Sequence, residues 1–192
     1  MKSFIPVLIT FLIASSSISF AQSYKIENDA STLSVIGTST LHDWKIKAET
    51  ISGNAEIVMS DKKLKDITSL LMQVNVADMH SGLDPMDVHM RAAMTANETN
   101  TVDYKLLKIT DISENTIGGY TIQAEGEITI IGNVKVVTLQ ATMEMRANGT
   151  IRFFGETMID MTEYSVELPQ AEMGSIKAEK DVKVVFDVVL SK

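Results

Sequence analysis

The sequence predicts an all-β domain, an antiparallel up-and-down barrel with one short helix at about 85–94. Three observations carry this. From Tyr24 onward apolar and polar residues alternate with period two, in blocks divided by Gly, Asn and Asp. Two consecutive hairpins can be placed from their turn residues alone. Helical spacing of apolar residues occurs at a single place, the methionines at 86, 90 and 94.

The first element is not part of the fold. Lys2 precedes an apolar run from Phe4 to Ala14 and a serine-rich stretch ending Ser19-Phe20-Ala21, the pattern of a secretory signal peptide cleaved before Gln22. The run is too short for a transmembrane helix, which needs roughly 20 apolar residues, and no later segment comes closer. Removing residues 1–21 leaves 171 of the 192 residues, enough for one domain over 22–192. The expected location is the periplasm, without stable membrane insertion.

Composition narrows the function. There is no cysteine, so disulfides and thiol nucleophiles are excluded. Loss of Lys2 takes the formal net charge from −8 to −9, which disfavours nucleic acid and anionic membrane surfaces as partners.

Strands are predicted near 24–28, 31–38, 44–59, 68–78, 101–112, 119–131, 134–146, 150–160 and 181–190. Taking Gly132-Asn133 as a two-residue loop sets Ile131 against Val134, Ile128 against Val137, Gly126 against Leu139, Ala124 against Ala141 and Ile122 against Met143. At Ala147-Asn148-Gly149 a two-residue loop would mix the faces. A three-residue loop closed by Arg146 and Thr150, with Gly149 left-handed, instead pairs Met145 with Ile151, Met143 with Phe153 and Ala141 with Gly155. Three long strands with one apolar face must curl or meet a second sheet, and the strand count favours closure.

The register sets Ala124, Ala141 and Gly155 in one row, with Gly126 one step along and Ile122, Met143 and Phe153 on the flank. A band this small leaves room for a ligand chain, or for a large side chain such as Trp44 or Phe186 reaching in from the far wall.

The stretch MHSGLDPMDVHMRAAM, residues 79–94, holds two of the three histidines and four of the twelve methionines. Asp84 suits an N-cap and Pro85 the first helical position. Met86, Met90 and Met94 make one flexible apolar stripe, which lays the helix across the barrel with Asp87 and Arg91 as an exposed i, i+4 pair. The alternative is a copper(I) site built from thioethers and imidazoles, although Met79 and His80 lie on a strand end and the spacing to Met86 and His89 is loose. Nothing resembles a zinc hydrolase motif, and no nucleophile elbow is present. In GTSTLHDW, residues 37–44, His42 and Trp44 share one side of a strand while Asp43 faces away, a poor geometry for a dyad. The protein is therefore expected not to be an enzyme.

Together GTSTLHDW at 37–44, the D-x-H-x-R pattern of Asp87, His89 and Arg91, GEITIIGNVK at 126–135, GETMIDMTEYSVELP at 155–169 and VKVVFDVVL at 182–190 resemble the YceI-like family of periplasmic lipid-binding proteins. Two departures stand out: Ala92-Ala93-Met94 where the family tends to have aromatics, and Ser165 where a glycine is usual. The resemblance implies a long, lipocalin-like barrel holding the tail of an isoprenoid amphiphile, such as a quinone or a polyprenyl phosphate, with no other cofactor. The expected ligand-binding residues are Trp44, Met86, His89, Met90, Arg91, Ile122, Ala124, Gly126, Leu139, Ala141, Met143, Phe153 and Gly155. A homodimer stays open as an assembly.

Overall fold

The computed structural model describes residues 20–61, 63–94, 100–171 and 175–192. Alternation becomes strands almost wherever it occurs. The chain runs β1 (Phe20–Ile26), β2 (Thr32–Thr38), β3 (Asp43–Ala48), β4 (Ile51–Ser60), β5 (Lys63–Asn75) and β6 (Met79–His80) into the helix α1 (Asp84–Met94). It continues through β7 (Thr101–Glu114), β8 (Tyr120–Ile130), β9 (Asn133–Met145) and β10 (Ile151–Asp160). The short strands β11 (Gln170–Ala171) and β12 (Ile176–Lys177) precede β13 (Asp181–Ser191).

Eight antiparallel staves close into a barrel, because β1 pairs with both β4 and β13. The first three staves are each broken once. β1 and β2 lie along the same edge of β13, separated by the 3-10 turn Asn28–Ala30. β3 and β4 follow one another opposite them, and β6 continues β5 against β3. The Asn28 side chain binds the two facing breaks, its Oδ1 accepting from the Ile51 amide at 2.7 Å. Sequence reading merged β3 with β4 and ran β5 through to residue 78; the interruptions let long strands bend around a closed barrel. The first expected strand also begins earlier, at Phe20, so β1 overlaps the expected cleavage point before Gln22. The apolar run of the expected signal peptide lies outside the described residues.

The hairpin between β9 and β10 forms as expected. Arg146 and Thr150 close the loop through a 2.9 Å amide-to-carbonyl bond, Gly149 has φ 86°, and Met145 pairs with Ile151 and Met143 with Phe153. The ladder ends at Thr142 and Phe154, one rung short of the expected Ala141–Gly155 pair.

The hairpin between β8 and β9 is a correction. Its loop is Ile131-Gly132, not Gly132-Asn133: Ile130 faces Asn133, Gly126 faces Val137, Ala124 faces Leu139 and Ile122 faces Ala141. Both loop residues have positive φ, 50° and 75°, as a type I′ turn requires. A left-handed isoleucine costs about 1–2 kcal/mol. Burying its side chain, here 3% exposed in the main core, contributes about 1.5–3 kcal/mol, so burial wins. The Asn133 amide is drawn in the same direction, donating to the Tyr164 carbonyl at 2.8 Å. Because the shift is two residues, every side chain keeps its face.

The helix, the turns at 39–42 and 131–132 and the connecting residues 161–171 and 175–180 gather at one end of the barrel. The tight turns after β4, β7 and β9 gather at the other.

Candidate functional site: an apolar cavity beneath the helix

The barrel encloses a cavity of about 610 Å³ whose walls are almost wholly apolar. Away from the helix it is stopped by side chains with little or no exposed surface, Ile57, Met143, Ile151 and Leu190. Towards the helix it opens between α1, the turn carrying Ser39 and His42, and the segment with Pro169 and Gln170.

Helical spacing puts Met86, Met90 and Met94 on the cavity side of α1, with Met90 buried in a cluster that includes Leu33, Ile46 and Val74. His89 lines the cavity from its rim and is exposed to solvent. From the walls come Ile122, Ala124, Leu139, Ala141 and Phe153, and Trp44 stands near the rim with its indole N–H donating to the Thr38 carbonyl at 3.1 Å. Four of the residues singled out from sequence lie off the lining. Arg91 is half-buried on another face of α1. Met143 belongs to the closed end.

Gly126 and Gly155 are covered by aromatic rings. A Cβ on Gly126 would run into the Tyr104 ring, and one on Gly155 would sit 2.8 Å from Phe186 Cζ. Trp44 in turn lies over Gly37, its cross-strand partner. The small residues are therefore partly seats for rings, and those rings, Trp44, Tyr104 and Phe186, form part of the cavity wall. Of the candidates for filling the small band, Phe186 covers Gly155 from the neighbouring strand β13 rather than from the far wall, and Trp44 lies over Gly37. Tyr104 was missed from sequence; its place in the alternation Val102, Tyr104, Leu106 was the available signal.

The helix is tied down by Asp87, which is 4% exposed and not the surface partner of Arg91 that i, i+4 spacing suggested. Its carboxylate accepts from the Ser81 amide at 2.7 Å and the Ser81 hydroxyl at 2.5 Å, and lies 3.1 Å from His80 Nδ1. Burial raises its proton affinity, but the Ser81 and His80 contacts outweigh burial and hold the carboxyl below the usual aspartate range. Glu49 approaches the other side of the His80 ring at 3.9 Å. The segment before the helix thus folds back onto it, and His80 faces this anchor while His89 faces the cavity rim.

The titratable groups on the lining are His42, His89, Asp103 and Tyr104. His42 Nδ1 lies 2.8 Å from the Asp43 carbonyl, and Asp103 is held by Gln73 and Thr101. Desolvation pushes the Tyr104 phenol up to about 12. Among the described residues no group of three or more His, Asp or Glu stands together as a metal centre. Also among them, no helix is long and apolar enough to cross a membrane.

No curated protein sequence matches the chain. Its fold recurs in solved structures of low identity. Burkholderia cenocepacia BcnA is 17% identical over 85% of this chain and 98% of its own, with a TM-score of 0.65. A polyisoprenoid binding domain from Saccharophagus degradans is 14% identical over 88% and 97%, with a TM-score of 0.67. The Campylobacter jejuni YCEI protein is 13% identical over 99% and 94%, with a TM-score of 0.54. The YceI-like domain model matches residues 24–190, nearly all of the barrel, and the chain belongs to the YceI-like family.

Proposed function

We propose that this protein is a non-catalytic, exported carrier that holds the chain of an isoprenoid-type amphiphile, of the quinone or polyprenyl phosphate class, inside its barrel. The observation that carries the reading is the cavity itself: about 610 Å³, apolar, closed at one end and open at the helix end. Its size falls within the range of small-ligand pockets, roughly 300–1,000 Å³. At about 30 Å³ per water-sized group it has room for about 20 carbon-sized groups, so a longer tail extends past the rim. Each buried CH₂ contributes about 0.8 kcal/mol, enough for tight binding without any specific polar contact.

Family membership and the polyisoprenoid binding domain of similar fold support the ligand class. The absence of catalysis rests on the lining: among the described residues, no hydrogen bond joins any two of its titratable groups into an acid and base pair. Residues 1–21 supply the export signal, and 22–192 are the working domain. Met86, Met90 and Trp44 act as apolar contacts at the entrance, and Ile122, Ala124, Leu139, Ala141 and Phe153 contact the tail. Native mass spectrometry of protein purified from the periplasm of its own host tests this. The expected result is an added mass that yields an isoprenoid lipid on extraction; a copper adduct, or the bare polypeptide mass, would refute it.

A further inference from the structure

One wall residue does not fit a purely greasy tunnel. Tyr104 is 8% exposed and packs its ring over Gly126, where phenylalanine would serve equally for packing. Its hydroxyl has no hydrogen-bond partner among the described residues, yet no fully covered side-chain polar atom is left unpartnered. The oxygen therefore keeps accessible surface. Tyr104 also borders a groove on the outer side of the sheet beside Gln73 and Glu127. Its ring packs over Gly126, however, and it alternates with Val102 and Leu106 on the cavity wall, so its side chain faces the cavity. It stands three residues into β7 from Thr101, about 10 Å along the strand from the helix end. Desolvation, which pushes the phenol up to about 12, keeps it protonated and able to donate. Natural interiors rarely leave a desolvated hydroxyl unmatched.

We propose that the Tyr104 hydroxyl is the hydrogen-bonding contact for an oxygen-bearing group of the ligand, an alcohol or carbonyl lying inside the barrel rather than at its rim. This rests on the carrier reading and narrows it: the cargo enters with its oxygenated portion within the cavity, and the site discriminates against plain hydrocarbon. The discrimination follows because an unmade bond at a desolvated hydroxyl costs more than a made one returns. Thr157, the other strand hydroxyl on the lining, lies on β10, three staves away around the barrel.

The test uses delipidated full-length mature protein and two probes, phytol and its parent hydrocarbon phytane, each displacing the reporter N-phenyl-1-naphthylamine. Tyr104→Phe keeps the ring on Gly126, and Thr157→Val removes the second hydroxyl. Tyr104→Phe is expected to weaken phytol by about three- to tenfold while shifting phytane less than about twofold, with Thr157→Val leaving both unchanged. Equal phytol affinity in wild type and Tyr104→Phe, or a loss of phytol binding seen only in Thr157→Val, would overturn the assignment while leaving the carrier reading intact. Displacement of the reporter by neither probe from wild type would overturn the carrier reading and this assignment with it.

Discussion

Replacing Asp87 by alanine removes the acceptor shared by the Ser81 amide, the Ser81 hydroxyl and His80. It leaves the half-buried Ser81 amide and His80 Nδ1 without that partner, while the Ser81 hydroxyl keeps the Leu83 carbonyl. Replacing Arg91, one turn on, removes a half-buried side chain with no ion pair to Asp87. Urea denaturation should therefore separate two residues that sequence spacing treats as a pair. Asp87→Ala is expected to cost about 2 kcal/mol, and Arg91→Ala less than about 0.5 kcal/mol. Acid supplies a second reading of the same contact. The folded carboxyl titrates below the ordinary aspartate value of 3.8, so its contribution is fully present above that value and is lost as pH falls through the folded pKa. The stability difference between wild type and Asp87→Asn should shrink over that acid window and stay constant above it; a difference that grows as pH falls would contradict the sign. The burial of Asp87 was not legible from the helix alone, because its donors come from Ser81 and His80 in the preceding segment. A helical wheel sees i, i+4 neighbours and is blind to a chain that folds back.

At the scale of elements, the alternation that reveals strands also fixes which face is buried, and that part of the sequence reading survived throughout. The β8–β9 register shows its limit. Gly-Asn and Ile-Gly loops both preserve the faces, and the choice turns on burial of Ile131 and the bond from Asn133 to Tyr164, 31 positions away. At the β9–β10 turn only one loop length kept the faces apart, so register could be read directly. The helix was equally legible, since the Met stripe and the Asp84-Pro85 start are local signals. Its working face gives a prediction. Met90 is 7% exposed and joins the core beneath the helix, while Val88 is 59% exposed. Met90→Ala should cost about 2 kcal/mol and Val88→Ala less than about 0.5 kcal/mol in the same denaturation experiment. Equal costs would mean that α1 lies across the barrel on a different face.

Across the whole molecule, the sequence disclosed a closed barrel with a small-residue band, but not how that band would be filled. Two of its glycines seat Tyr104 and Phe186, a pairing between strands that no local pattern announces. Ala124 and Ala141 keep their places on the cavity wall, and Ala141, beside Ile122 rather than Ala124, still faces the space assigned to the ligand tail. The most direct test of a lipid-filled barrel is the mass of Ala141→Trp protein beside wild type, both purified from the periplasm and compared intact and after lipid extraction. An indole in open cavity space displaces the tail without overpacking, which in a filled core would cost about 1–3 kcal/mol. The variant is predicted to fold, to melt close to delipidated wild type, and to carry almost none of the lipid that wild type carries. A folded Ala141→Trp protein bearing the wild-type lipid in full amount would contradict the account.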